Sequence, residues 1–102
     1  GRQEDYILTS SGRFIGRLDH IFKKANHIRN AQIEQDSLDS LVIRIVRTDN
    51  YSKKDENYII KEAKSNLGNE FNIIFDYVDN IPKSANGKFN FIIQKIRKNR
   101  NR

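Results

Sequence analysis

Three patterns of apolar residues divide this chain: strict alternation, near-continuous β-branched runs, and recurrence every three to four residues. Tyr6-Ile7-Leu8-Thr9 and Arg13-Phe14-Ile15 flank Ser10-Ser11-Gly12, which reads as strand, turn and strand. Leu18, Ile21, Phe22 and Ala25 then recur at helical spacing, predicting a short amphipathic helix over 17–26. Ile28 to Asp36 alternates but is polar, the pattern of an outer strand, and Asp36-Ser37-Leu38-Asp39-Ser40 is a turn. Leu41 to Val46 is an apolar, β-branched run broken by Arg44, a strong strand signal. Ser52-Lys53-Lys54-Asp55 has the form of an N-terminal capping box, with Asp in place of Glu. It opens a helix whose stripe is Ile59, Ile60, Ala63 and Leu67, with Gly68 as its stop. Phe71, Ile73, Phe75 and Tyr77 alternate with Asn72, Ile74, Asp76 and Val78, another strand. Phe89 to Ile96 is apolar enough to dock on a core, as a strand or as a short helix.

This order predicts an α+β fold: a small, mostly antiparallel sheet with two packed helices. The 102 residues suffice for one core and one domain. We expect that domain to span 1–96, followed by a basic tail, 97–102. The tail changes the reading of the +6 net charge, because Arg97, Lys98, Arg100 and Arg102 supply four of nineteen basic residues. The remaining fifteen face thirteen acids, so a solvated terminus explains most of the charge. No run approaches the roughly 20 apolar residues of a membrane span. Cysteine is absent, which excludes disulfides and thiolate metal sites and favours a cytoplasmic setting. Methionine is absent too, and the chain starts abruptly at Gly1-Arg2, as expected of a fragment of a longer protein.

The stretch Ile81-Pro82-Lys83-Ser84-Ala85-Asn86-Gly87-Lys88-Phe89 holds the sole proline. Pro82 fixes its own backbone and extends Ile81, while Asn86-Gly87 suits a tight turn. Lys88 is thereby presented on a loop, where its ammonium can reach into a separate anionic site. A Walker-type phosphate loop is rejected, since Pro82 stands where its first glycine belongs and Phe89 where Ser or Thr should follow the lysine. His20 and His27 lack the acids or cysteines that would complete a metal site, and read as surface residues. No serine, histidine and acid set has spacing for nucleophilic catalysis. Nothing in the chain amounts to a self-contained active site.

The two ends, taken together, carry a resemblance. Gly1-Arg2-Gln3-Glu4-Asp5 followed by Gly12-Arg13 resembles the hinge and hairpin motif of adenylate-forming enzymes, the acyl-CoA synthetase superfamily. Pro82-Lys83-Ser84-Ala85-Asn86-Gly87-Lys88 resembles that superfamily's C-terminal lysine motif, at the distance expected of its small mobile C-terminal domain. Ser11-Gly12-Arg13-Phe14-Ile15, Gln32-Ile33-Glu34-Gln35 and Asn86-Gly87-Lys88-Phe89 are most similar to the phenylacetate–CoA ligase-like branch. That branch includes CapK-type capsular polysaccharide biosynthesis proteins. The resemblance implies the lid domain of an ATP-dependent ligase that activates a carboxylate as an acyl-adenylate and passes it to an acceptor. It implies Lys88 as the adenylation lysine, Glu4 and Asp5 as the hinge, and Arg2, Gly12 and Arg13 as contacts to nucleotide or coenzyme A. ATP and Mg²⁺ would be bound mainly by a preceding N-terminal domain, which is the implied partner. A small carboxylic acid is the implied substrate; the acceptor in such enzymes is commonly coenzyme A, with a carrier protein or a sugar amine left open here. Two local departures mark this chain: an additional residue between Asp5 and Gly12, and Glu4 at the hinge.

On its own such a lid would be catalytically silent. The competing reading is a small basic α+β module that binds nucleic acid or protein without catalysis. A β-sheet RNA binder needs aromatic residues on an exposed sheet face, whereas Phe71, Phe75 and Tyr77 share a face with Ile73, which reads as core.

Overall fold

The computed structural model describes residues 6–16, 18–22, 27–82 and 91–96. A two-stranded hairpin comes first, β1 (Ile7–Leu8) and β2 (Phe14–Ile15), with Ile7 opposite Ile15 and Leu8 opposite Phe14. A 3₁₀ turn, Leu18–Phe22, follows. Then come β3 (Ile28–Ser37), β4 (Ser40–Arg47), helix α1 (Lys53–Leu67), β5 (Asn72–Tyr77) and β6 (Ile92–Gln94). The sheet order is β5-β4-β3-β6.

An α+β architecture is what the apolar pattern predicted, with two corrections of detail. Among the described residues only one of the two expected helices is an α-helix. The described part of the 17–26 segment is a 3₁₀ turn, in which Leu18 and Ile21 lie three apart and are both buried. That spacing matches the three residues per turn of this tighter helix. The Ile28–Asp36 strand is not an outer one. It lies inside the sheet, because its polar side chains are satisfied there and β6 covers its second edge. Antiparallel pairing holds for the hairpin and for the long central pair, β3 with β4. Both outer strands join in parallel, β5 along β4 and β6 along β3. The first of these joins uses α1 as the crossover that a parallel pair requires. The final segment, open between strand and helix in the sequence, contributes strand β6.

Local chemistry explains the elements. Asp55 Oδ2 accepts a hydrogen bond from the Ser52 amide at 3.0 Å, the reciprocal half of the capping box that starts α1. Gly68 ends the helix with φ +91° and donates its amide to the Lys64 carbonyl at 2.8 Å. Between them, Ile59, Ala63 and Leu67 form the buried stripe. They pack with Leu18, Ile21 and Ile7 against Ile33, Leu41, Ile43 and Ile45 of the sheet and against Phe71, which precedes β5. Each such aliphatic side chain contributes roughly 1.5–3 kcal/mol by leaving water. Ile73, Phe75 and Tyr77 border this cluster, so the alternating face of β5 does point to the core. No helix among the described residues is long and apolar enough to cross a membrane.

Candidate functional site

Two segments singled out in the sequence leave the sheet at opposite ends. The one bearing Lys88 departs after β5, where the Val78 amide bonds the Ile45 carbonyl at 2.9 Å. It rejoins at Phe91, whose carbonyl accepts from the Ile33 amide at 2.8 Å. Both points lie toward the start of β3, since Ala31 stands opposite Ile45 and Ile92 beside Ile33. The β1–β2 hairpin docks at the other end. Leu8 meets Gln35, and Ser10 bonds Glu70, which precedes β5 where Asn72 pairs with the Asp39 carbonyl. Along β3 the two levels, Ala31 and Ser37, are roughly 20 Å apart at ~3.3 Å per residue.

The hairpin turn is tightly specified. The Thr9 amide donates to the Arg13 carbonyl at 2.8 Å, the Gly12 amide to the Thr9 carbonyl at 3.0 Å, and the Arg13 amide to Thr9 Oγ1 at 3.1 Å. Gly12 has φ +93°, a conformation that a side chain would strain. A Cβ there would meet nothing within 4 Å, so the glycine serves the turn and leaves its outer side open. Arg13 is exposed and forms no ion pair among the described residues. Gly16, which the sequence reading passed over, sits against the ring of Tyr6: a Cβ would lie 2.5 Å from Tyr6 Cε2. Of the other predicted site residues, Lys88, Arg2, Glu4 and Asp5 lie outside the described residues, as does the basic tail 97–102. Pro82 is exposed and Ile81 buried, so the Lys88 segment leaves from an anchored residue.

What secures the hairpin is a pair of buried glutamines. Gln35 Nε2 donates to the Leu8 carbonyl at 2.8 Å and to the Ser37 carbonyl at 3.1 Å. Its Oε1 accepts from the Leu8 amide at 2.8 Å and from Gln94 Nε2 at 2.6 Å. Gln94 Nε2 also donates to the Tyr6 carbonyl at 2.9 Å. The alternating polar strand suggested that Gln35 would be exposed; instead Gln35 and Gln94 are both buried, their amides bonding the backbone of Tyr6 and Leu8.

On the sheet face away from α1, a strap of charge spans the strands. Arg44 pairs with Asp76 at 3.2 Å and with Glu34 at 3.1 Å, and donates to Gln32 Oε1 at 3.0 Å. Lys95 reaches Glu34 at 3.1 Å. Burial pushes the Glu34 carboxyl up, but hydrogen bonds from Lys95 and Arg44 outweigh it and leave the group below its ordinary 4.5. Burial likewise lowers Arg44, and bonds to Asp76 and Glu34 more than restore it. The only sequence clue to this network was Arg44 interrupting an apolar run.

His27 is half-buried and its Nδ1 is 2.9 Å from Asp55 Oδ2, a contact that sequence spacing did not show. Its hydrogen bond holds the Asp55 carboxyl below the ordinary value. Among the described residues no group of three or more His, Asp or Glu could hold a metal ion.

The described residues form a small α+β domain in which the sheet is backed by one α-helix. The sequence profile of the CapK C-terminal domain matches residues 7–95, from the first residue of β1 to the residue after β6. The chain belongs to the CapK C-terminal domain family. The matched range includes Gly12, Arg13 and Lys88 and leaves Arg2, Glu4 and Asp5 outside it. No curated protein matches the chain.

Proposed function

We propose that this domain is the lid of an adenylate-forming, carboxylate-activating ligase, and that its two motif segments serve the two half-reactions in turn. The observation that supports this reading is that one segment departs from one end of the sheet while the hairpin docks at the other. A single domain that turns about a hinge can present one end to a reacting centre and then the other. In the first orientation Lys88 supplies an ammonium where charge redistributes at an α-phosphate, in a closed, water-poor site. In the second the Gly12–Arg13 hairpin takes its place: Gly12 leaves the turn's outer surface open, and the exposed Arg13 suits an anionic acceptor. Glu4 and Asp5, just ahead of β1, are the hinge, and Arg2 contacts the nucleotide. The Gln35–Gln94 clamp makes the hairpin one body with the sheet, so a hinge movement swings both segments together. ATP with Mg²⁺ and, for an acyl-CoA product, coenzyme A would come from the preceding domain, in a cytoplasmic enzyme of capsular polysaccharide assembly.

The competing nucleic-acid reading gains little from the sheet. Phe71 is buried, and Phe75 and Tyr77 border the core, while the open face carries acids as well as bases. ATP–pyrophosphate exchange by the longer parent protein across a panel of carboxylic acids tests the proposal. Lys88→Ala should lower exchange by roughly 10²–10³, the typical loss of one preorganised donor. Exchange indifferent to Lys88 would remove that lysine from the chemistry.

A further inference from the structure

The pairing of β3 with β4 slips by one residue between Ile28 and Asn30. Ile28 stands opposite Arg47 and Asn30 opposite Val46, so Arg29 is the extra residue of a β-bulge. Bulges redirect a side chain, and this one sets Arg29 in the lining of the same cleft as Arg47 at the end of the sheet. Both arginines are exposed and line a cleft of about 210 Å³ with Val46, Tyr77, Val78 and Asp79. That volume is far above the roughly 10–15 Å³ that admits one water. Like charges across paired strands repel, and among the described residues neither arginine forms an ion pair. Asp79 is the sole acid of the lining and is itself exposed.

Arg47 is also held in place. Its Cζ lies 4.3 Å from the centroid of the Tyr77 ring, which stacks on Phe75 and hydrogen-bonds Tyr51 through the hydroxyl at 3.0 Å. A guanidinium fixed over an aromatic face keeps its donors directed outward, ready for two-point binding of an oxyanion.

We propose that the Arg29–Arg47–Tyr77 cleft is an anion site for a phosphate or diphosphate group, free or carried by a nucleotide. The site is independent of the adenylation reading, because it uses neither Lys88 nor the hairpin. It stands at the end of the sheet from which the Lys88 segment departs, and Val78 and Asp79 are the residues that lead into that segment.

The test is a titration of the ¹⁵N-labelled chain with inorganic pyrophosphate, ADP and adenosine, following the Arg29 and Arg47 Nε–H signals and the Val78 and Asp79 amides. Saturable shifts with pyrophosphate or ADP, and none with adenosine, are expected. Pyrophosphate alone would identify a free anion, and ADP alone one carried on a nucleotide. Arg29→Gln and Arg47→Gln should each weaken binding about ten- to a hundredfold with the remaining amide spectrum unchanged. Arg47→Lys, which keeps the charge and loses the fork, should retain part of the affinity. Shifts that never saturate, that spread over all basic side chains, or that survive both Gln variants would overturn the site. So would saturable binding of an oligoribonucleotide through these residues with no response to pyrophosphate or ADP.

Discussion

Replacing Gln35 by alanine is the sharpest test of how the hairpin is held. The side chain is fully buried, and its amide makes four hydrogen bonds, two of them to the backbone of Leu8. Its removal leaves the Leu8 amide and carbonyl facing a void, and one Gln94 proton without its shorter partner. Each stranded buried group costs about 1–3 kcal/mol, and the lost side-chain volume adds to it. If β1 peels away instead, the Leu8 backbone reaches water, but the Ile7 and Leu8 side chains, both buried, are exposed at about 2 kcal/mol each. Either route predicts a loss of about 3–5 kcal/mol, a large part of the roughly 5–15 that holds a domain together. Urea unfolding gives the total, and hydrogen exchange at the Leu8 amide shows whether β1 detaches first. Gln35→Leu separates the causes: it restores volume without hydrogen bonds and should remain at least about 2 kcal/mol below wild type. A Gln35→Ala loss under about 1 kcal/mol, with Leu8 as protected as before, would refute the clamp.

Gly16→Ala should destabilise by about 1–3 kcal/mol, because the new methyl falls on the Tyr6 ring. Thermal melts check this, and adding Tyr6→Ala should relieve most of the cost; two purely additive losses would refute the contact. Glu34 holds its charge more readily when folded than when unfolded. It therefore contributes stability above its unfolded pKa, and that contribution is lost as pH falls through the lower folded value. Glu34→Gln should flatten the acid limb of the stability profile, by no more than about 1 kcal/mol given solvent screening. An acid limb unchanged in the variant would mean that the strap across the sheet contributes nothing.

Much of the scaffold was legible because burial and periodicity coincide. Leu41–Val46 and the Ile59–Leu67 stripe are core on one face, and their apolar spacing says so directly. Ile28–Asp36 misled because an interior strand is normally apolar, whereas here Gln35 is buried as a clamp and Glu34 is paired to cations. The helix expected over 17–26 illustrates another ambiguity: an i, i+3 pair such as Leu18 and Ile21 fits a 3₁₀ turn as well as an α-helix. The parallel joins of β5 and β6 were invisible because pairing between distant segments leaves no local mark. Gly12 was legible as a turn glycine, and its φ bears that out. The Arg29 bulge was not, since a one-residue register slip depends on the facing strand.

The tie between the Tyr6 carbonyl and Gln94 joins residues 88 positions apart in the chain. It sets an order of assembly. During synthesis β1 emerges before the other strands described but can complete its docking only when β6 has left the ribosome. Until then the segment ahead of β1 is joined to an unfinished sheet, and β3 has one edge unpaired. Long-range closure of this kind is slow and leaves that edge open to misplaced pairing while it waits. A truncation that removed β6 would therefore loosen the hairpin as well, leaving it to Gln35 and to Ile7 in the core.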